Sequence, residues 1–293
     1  MNSKLFLKKN NNILVYHDDF YSSYLGGNKA RKIKNIEKGI IQNRNNAIVT
    51  TGGIQSNHCR VTALACAHNG WKCKLILHGS EEQFYNQKGN ALIMRMCGAD
   101  IQFVKPQDIG PAMDKAMEDF KNEGYSPYYL NGGGHNKAGV IAYVEAVKEL
   151  HKELGKDHPP DHIFLASGTG STQAGILLGL EKIGWNNTIV HGISVARQKE
   201  RGREGVLEAI HFVDTNFNAS KILFYDDFLF GGYGQFNEEL KNFTYEVAAK
   251  TGIIIDTTYT GKAYYGMTEL IKRNKLEGNM LFWHTGGLLN VMV

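Results

Sequence analysis

The sequence predicts an α/β protein built on parallel sheets, and two observations lead there. Short β-branched apolar runs alternate with helical patterns along the chain. Glycine-rich, hydroxyl-bearing turns recur where those runs end, and in open α/β sheets ligands sit in the crevice outside the carboxyl ends of the strands. In chain order the strands are read at 46–53 (NAIVTTGG), 72–79 (KCKLILHG), 99–104 (ADIQFV), 161–168 (DHIFLASG), 187–195 (NTIVHGISV) and 281–287 (LFWHTGG). The helices are read at 57–70, 89–99, 138–154, 171–184 and 263–274, where Ala and Leu spacing makes one apolar face. The segment KDHPPDH (156–162) holds two of the five prolines and reads as a crossing between domains. The expected division is a larger domain from 1–42 and 150–293 and a smaller α/β domain from 43–149.

Composition excludes several classes. At 293 residues, 42% hydrophobic and 21% charged, the chain reads as an ordinary globular protein of about two domains. A net charge of +4, with no basic stripe interleaved with aromatics, speaks against nucleic acid. The N-terminus lacks the apolar core of a signal peptide, and no run reaches the roughly 18 apolar residues of a membrane span. A cytoplasmic protein is expected. Cys59, Cys66, Cys73 and Cys97 form no CxxC pair, so no structural metal site is expected and the thiols read as reduced and buried.

Two stretches point to chemistry. In GGNKARK (26–32), Gly26-Gly27-Asn28 reads as a turn, while Lys29, Arg31, Lys32 and Lys34 put four cations within six residues. Such a run is usually a solvated helix face or a weak anion handle. The sharper reading is one reactive lysine, with neighbours holding the charge of its cofactor. SGTGSTQAG (167–175) lies between the apolar strand and a helix. It lacks GxxxxGK[ST], and Gln173 stands where GxGxxG needs its third glycine. It still suits a backbone nest for a compact phosphate at a helix N-terminus, with hydroxyls from Thr169, Ser171 and Thr172. The alternative is a merely capped helix. A phosphate cup, a separate reactive lysine and hydroxyl-rich strand ends together suggest pyridoxal phosphate, which needs an amine to join and an anion site to hold it.

GGNKARK, TTGGIQSNHCR, SGTGST, GGYGQFNEE and DTTYTGKAYYGM, in that order, resemble the D-cysteine desulfhydrase and 1-aminocyclopropane-1-carboxylate (ACC) deaminase family of fold-type-II pyridoxal phosphate enzymes. The resemblance runs from about residue 18 to the closing HTGGLLN. It implies two open twisted α/β domains with the active site in the cleft between them. By position it makes Lys29 the lysine that carries pyridoxal 5'-phosphate covalently, and Lys32 a cation near the phosphate. Arg31 and Lys34 keep the reading of solvated or structural cations. Asn57 matches the asparagine on the ring oxygen, and Ser56 and His58 match positions that meet the substrate carboxylate. Gly168, Thr169, Gly170, Ser171 and Thr172 match the phosphate loop, and Tyr233 and Tyr259 the two active-site tyrosines.

ACC deaminases carry glutamate on the pyridine nitrogen where this chain has Thr260, and glutamine where it has His58. Both differences point to the desulfhydrase branch. The resemblance therefore implies α,β-elimination of D-cysteine, or a related β-substituted amino acid, to pyruvate, ammonia and hydrogen sulfide. ACC deamination to 2-oxobutyrate, and a racemase or lyase of specialised metabolism, are the alternatives. A cofactor carrier without turnover is opposed by the intact Lys29, Ser56 and Tyr259. The family implies a homodimer acting on a small amino acid. DTTYTG departs from the family's DPVY, and the chain is shorter than the enzymes it resembles.

Overall fold

A computed structural model describes residues 7–10 and 13–293. In chain order the elements are β1 (Leu7–Asn10), β2 (Ile13–His17), α1 (Gly27–Gln42), β3 (Ala47–Gly53), α2 (Asn57–Asn69), β4 (Lys72–His78), α3 (Glu81–Asn86), α4 (Gly89–Met96) and β5 (Asp100–Phe103). Then follow α5 (Ile109–Asn122), β6 (Pro127–Leu130), α6 (Lys137–Leu154), β7 (His162–Ser167), α7 (Ser171–Ile183), β8 (Ile189–Ser194), α8 (Lys199–His211), β9 (Leu223–Tyr225), α9 (Glu238–Thr251), α10 (Thr260–Asn274) and β10 (Met280–His284). The strands form two sheets, ordered β1-β2-β10-β7-β8-β9 and β5-β4-β3-β6. Every pairing is parallel except β1 with β2. The α/β class with parallel sheets is thus the observed one. The boundary expected at 149/150 falls inside α6, whose Val140, Tyr143, Val147 and Leu150 pack with α7 against the larger sheet.

Strand alternation builds both faces of each sheet. In β7 and β10, Ile163, Leu165, Leu281 and Trp283 face α6 and α7. Their neighbours Phe164, Ala166, Phe282 and Met280 face α10 on the other side. All residues of both strands are buried, so these strands read as unbroken apolar runs. In the smaller sheet Ile48, Leu75 and Leu77 pack under α1 and α2, while Ala47, Val49 and Ile76 pack under α5. No helix among the described residues is long and apolar enough to cross a membrane.

The cationic run starts α1, and only part of it meets solvent. Ala30, Ile33, Ile36 and Ile40 give that helix its apolar stripe, yet Arg31 and Lys32 are also buried, at 4% and 1% exposure. Arg31 is structural. Its guanidinium meets the fully buried Asp18 at 2.9 Å and Glu149 at 2.8 Å, and it stacks over Tyr21. Asp18 also accepts from Trp283 Nε1 at 2.8 Å and from the Tyr143 hydroxyl. One carboxylate therefore joins the end of β2, α1, α6 and β10. Lys34, at the solvent edge, pairs with Glu37 at 2.9 Å.

Removing one partner of a buried ion pair strands the other charge, which typically costs about 3–5 kcal/mol. Arg31→Met is expected to destabilise the protein by an amount in that range in urea unfolding. A loss below about 1 kcal/mol, the scale of an exposed pair, would show that the pair is dispensable.

Candidate active site

The three glycine turns read from the sequence meet at one place. Residues 168–170 after β7, residues 285–287 after β10 and Asn57 at the start of α2 line a cavity of about 50 Å³, together with Asn28, Lys29, Thr172 and Tyr259. Lys29, Gly168, Thr169 and Tyr259 also line a second cavity of about 650 Å³, which opens between the two sheets. Ser56, His58 and Tyr233 lie on the second cavity alone. Lys29 thus stands where the two spaces join.

Backbone geometry puts it there. Gly26 and Gly27 take φ of +71° and +85°, a region that favours glycine, and the Asn28 N–H then bonds the Thr285 carbonyl at 2.9 Å. This fixes the first turn of α1 against the β10 turn. Lys29 Nζ donates to the Gly133 carbonyl at 3.3 Å. Burial lowers its pKa from the usual 10.5 to about 8, so the amine is protonated below that pH and increasingly neutral above it.

Lys32, one turn on, donates to Ser171 Oγ at 2.8 Å and to Gly133 O at 3.4 Å. Burial, and then the charge of Lys29, push its pKa well down. No carboxylate neutralises either amine within ion-pair distance among the described residues, so an anion here would meet two uncompensated lysine amines, Lys32 buried and Lys29 partly buried. The turn at 131–134 was not read from the sequence as part of the site, although its NGGG follows β6 as the other glycine turns follow their strands.

The helix start beside these lysines is open for an anion. Gly170 caps α7 with φ +96° and contributes no side-chain cap, leaving first-turn N–H groups unsatisfied. A Cβ on Gly170 would lie 2.7 Å from the backbone of Gly205 and Val206. Thr172 Oγ1 accepts from Asn28 Nδ2 at 3.2 Å. Beside this cup, Asn57 Oδ1 accepts from Asn90 at 3.1 Å and Arg60 at 3.4 Å, which leaves its Nδ2 to donate into the smaller cavity.

The remaining expected residues divide by position. Ser56 caps α2, its Oγ accepting from Cys59 N at 3.2 Å, so its own proton is free to donate. His58 bonds Thr50 Oγ1 at 2.8 Å, and burial pushes its pKa down to about 3. Thr50 donates onward to the Leu130 carbonyl, so His58 Nε2 is the donor and the ring is neutral. Tyr233 and Tyr259 bond hydroxyl to hydroxyl at 2.6 Å, and burial raises both pKa values. One hydroxyl proton is spent within the pair and the other is left for a bound molecule.

Thr260 is not on either cavity wall. Its hydroxyl donates to Asp256 Oδ1 at 2.7 Å and accepts from Asp256 N at 3.1 Å. Thr285 is the hydroxyl that reaches the smaller cavity from the neighbouring turn, inside the HTGG motif. Lys262 also escaped the sequence reading. It ties the loop bearing Tyr233 to α10 through the carbonyls of Leu229 at 2.7 Å and Gly232 at 2.6 Å.

A lysine between an anion cup and an open cleft defines the class of pyridoxal phosphate enzymes, and the comparisons with known proteins agree. The model of the family described as pyridoxal-phosphate dependent enzyme matches residues 4–286, and the chain belongs to that family. It is 33% identical over 294 residues to the mitochondrial bifunctional D-cysteine desulfhydrase/ACC deaminase of Arabidopsis thaliana, covering 94% of this chain and 72% of that protein. It is 30% identical over 284 residues to the D-cysteine desulfhydrase of Klebsiella pneumoniae, covering 94% and 86%. The crystal structure of an ACC deaminase homologue superposes with a TM-score of 0.84 at 31% identity, over 96% of this chain and 86% of that one. The residues present fit pyridoxal phosphate: an uncapped helix start, a buried amine beside it, and an amide donor on the same cavity.

Gly170→Val combines a disfavoured φ with a backbone collision and is expected to abolish cofactor retention. Ser171→Ala removes one hydroxyl, worth on the order of 1 kcal/mol or about fivefold in affinity. Lys32→Ala should cost more, roughly 1.5–3 kcal/mol. Equilibrium dialysis at fixed ionic strength measures this. Normal binding by Gly170→Val with loss in Ser171→Ala would mean that side chains, not the backbone, hold the phosphate.

Proposed function

We propose that the protein eliminates hydrogen sulfide from D-cysteine, or the corresponding leaving group from a related β-substituted amino acid, leaving pyruvate and ammonia. The names of the relatives support this class of reaction. The observation that favours it over ACC ring opening is that the smaller cavity has no carboxylate on its wall among the described residues. The nearest in sequence to Thr260, Asp256, is buried and accepts from Thr258 N, Tyr259 N, Thr260 N, Thr260 Oγ1 and Asn290 Nδ2. A cavity wall without a carboxylate to hold the ring nitrogen protonated gives a weaker electron sink, which suffices when the β-substituent leaves as a stable thiolate.

Pyridoxal phosphate, when bound, delocalises the electron pair left on the α-carbon. Lys29 Nζ takes the α-proton, and its lowered pKa keeps a fraction of the amine neutral near pH 8. The start of α2, with Ser56 Oγ and unpaired backbone N–H groups, suits the substrate carboxylate. The Tyr233–Tyr259 pair lies on the cavity where the leaving sulfur needs a proton. The balance is D-cysteine plus water to pyruvate, ammonia and hydrogen sulfide.

A panel of D-cysteine, L-cysteine, D-serine, L-cysteate and ACC, scored for keto acid, tests this. D-Cysteine is expected to give pyruvate and sulfide, with Lys29→Ala slower by on the order of 10³-fold or more. Release of 2-oxobutyrate from ACC with no sulfide from D-cysteine would overturn it.

A further inference from the structure

The larger cavity holds more than a three-carbon amino acid needs. At about 650 Å³ it lies within the range of about 300–1,000 Å³ typical of pockets for drug-sized ligands. Ile109, His135, Arg197 and Glu208 line it without touching the smaller cavity. They form a wall that neither the cofactor cup nor the tyrosine pair explains.

Arg197 is the charged group of that wall without a bonded partner. It follows β8, at the carboxyl end where this sheet presents its other ligand-facing turns. Among the described residues its guanidinium makes no hydrogen bond and no ion pair within 4 Å, and Arg201 and Glu208 act on it only from farther away. Its backbone is fixed all the same. Ser194 Oγ accepts from Arg197 N at 3.0 Å and donates to the Arg197 carbonyl at 2.6 Å. Gly205 on α8 leaves the space that Arg197 Nη1 fills, since a Cβ there would collide with it. A preorganised, half-buried cation with no bonded partner is a poor structural element and a good anion contact.

Two other groups qualify the chemistry. Glu208 shares the wall but is largely exposed and lies 3.7 Å from His135 Nε2. Burial holds His135 down to about 4, so this histidine is neutral at neutral pH and brings no second positive charge. His135 and Thr51 also line this cavity, but His135 Nδ1 and Thr51 Oγ1 are buried out of its reach and have no hydrogen-bond partner. The wall thus offers one cation, Arg197, to a ligand that reaches past Lys29.

We propose that the preferred substrates are β-substituted amino acids whose substituent crosses the larger cavity to an anionic terminus held by Arg197. This rests on the elimination reading above and specifies its substrate. The balance is that of D-cysteine with a tail on sulfur. Cα–H and Cβ–S break, Cα=Cβ forms, the tail leaves as a thiol, and water converts the enamine to pyruvate and ammonia.

The test separates binding from turnover. Both enantiomers of 2-aminoheptanedioate and of 2-aminoheptanoate are titrated calorimetrically into the holoenzyme. These are carbon isosteres of S-(2-carboxyethyl)cysteine and S-propylcysteine and have no leaving group. The diacid is expected to bind roughly 10- to 100-fold tighter than the monoacid, from one charge-assisted contact. Arg197→Met should erase that difference, and Arg197→Lys should restore part of it. Equal affinities in the wild type, or a diacid preference that survives Arg197→Met, overturns the proposal. So does an Arg197→Met variant that weakens cofactor retention and both ligands alike, since Arg197 would then serve the phosphate loop. Turnover of D-cysteine and S-(2-carboxyethyl)cysteine is scored separately. A diacid preference without elimination from either leaves the Arg197 subsite standing and removes the elimination reading. Elimination without a diacid preference does the reverse.

Discussion

The buried carboxylate of Asp18 is the constraint on which the site's geometry depends. It collects Arg31 from α1, Tyr143 from α6 and Trp283 from β10. Arg31 is two residues from Lys29, so the same contact that satisfies a buried charge also fixes the rotation of α1. With that rotation set, Lys29 and Lys32 face the start of α7, while Ala30, Ile33 and Ile36 face the smaller sheet. A buried ion pair contributes little net stability against an apolar replacement, but it penalises any arrangement that breaks it. Here the penalised arrangements are those that turn the two lysines away from the cleft.

The consequence is a cavity with unbalanced positive charge. Both amines meet the carbonyl of Gly133, and both are shifted toward the neutral form by burial. A phosphate held at the open helix start would relieve that cost, and a cofactor bound there would stabilise the protein by mass action. The neutral tendency of Lys29 is also what a base or nucleophile near neutral pH requires. Structural burial and reactivity are the same fact seen from two sides.

Much of this was legible in the sequence where burial was complete. β7 and β10 are buried on both faces and stand out as apolar runs, and each ends in a glycine turn that reaches the cavity. The elements that escaped are those with mixed faces. α5, α8 and α9 carry many charges, and α1 opens with glycines and cations that look like a turn and a solvated face. Helix α10 was expected only from residue 263, and it begins at Thr260, whose N–H donates to Asp256 Oδ1 at 2.8 Å. Lys29 and the loop at 168–172 were marked by their motifs, and the fold brings both to one cavity. Thr285, Gly133, Lys262 and Arg197 were not so marked, because their roles come from what the fold brings beside them.

The central claim is that Lys29, among three lysines near the cleft, is the one that joins the cofactor. Borohydride reduction of the holoenzyme followed by peptide mapping tests it directly, with apoenzyme reconstituted across a pH series before trapping. The expected result is a single adduct on Lys29 whose rate of formation rises with pH about a midpoint near 8, because the neutral amine is the nucleophile. An adduct on Lys32 or Lys262, or a midpoint near the ordinary lysine value of about 10.4, would contradict the account.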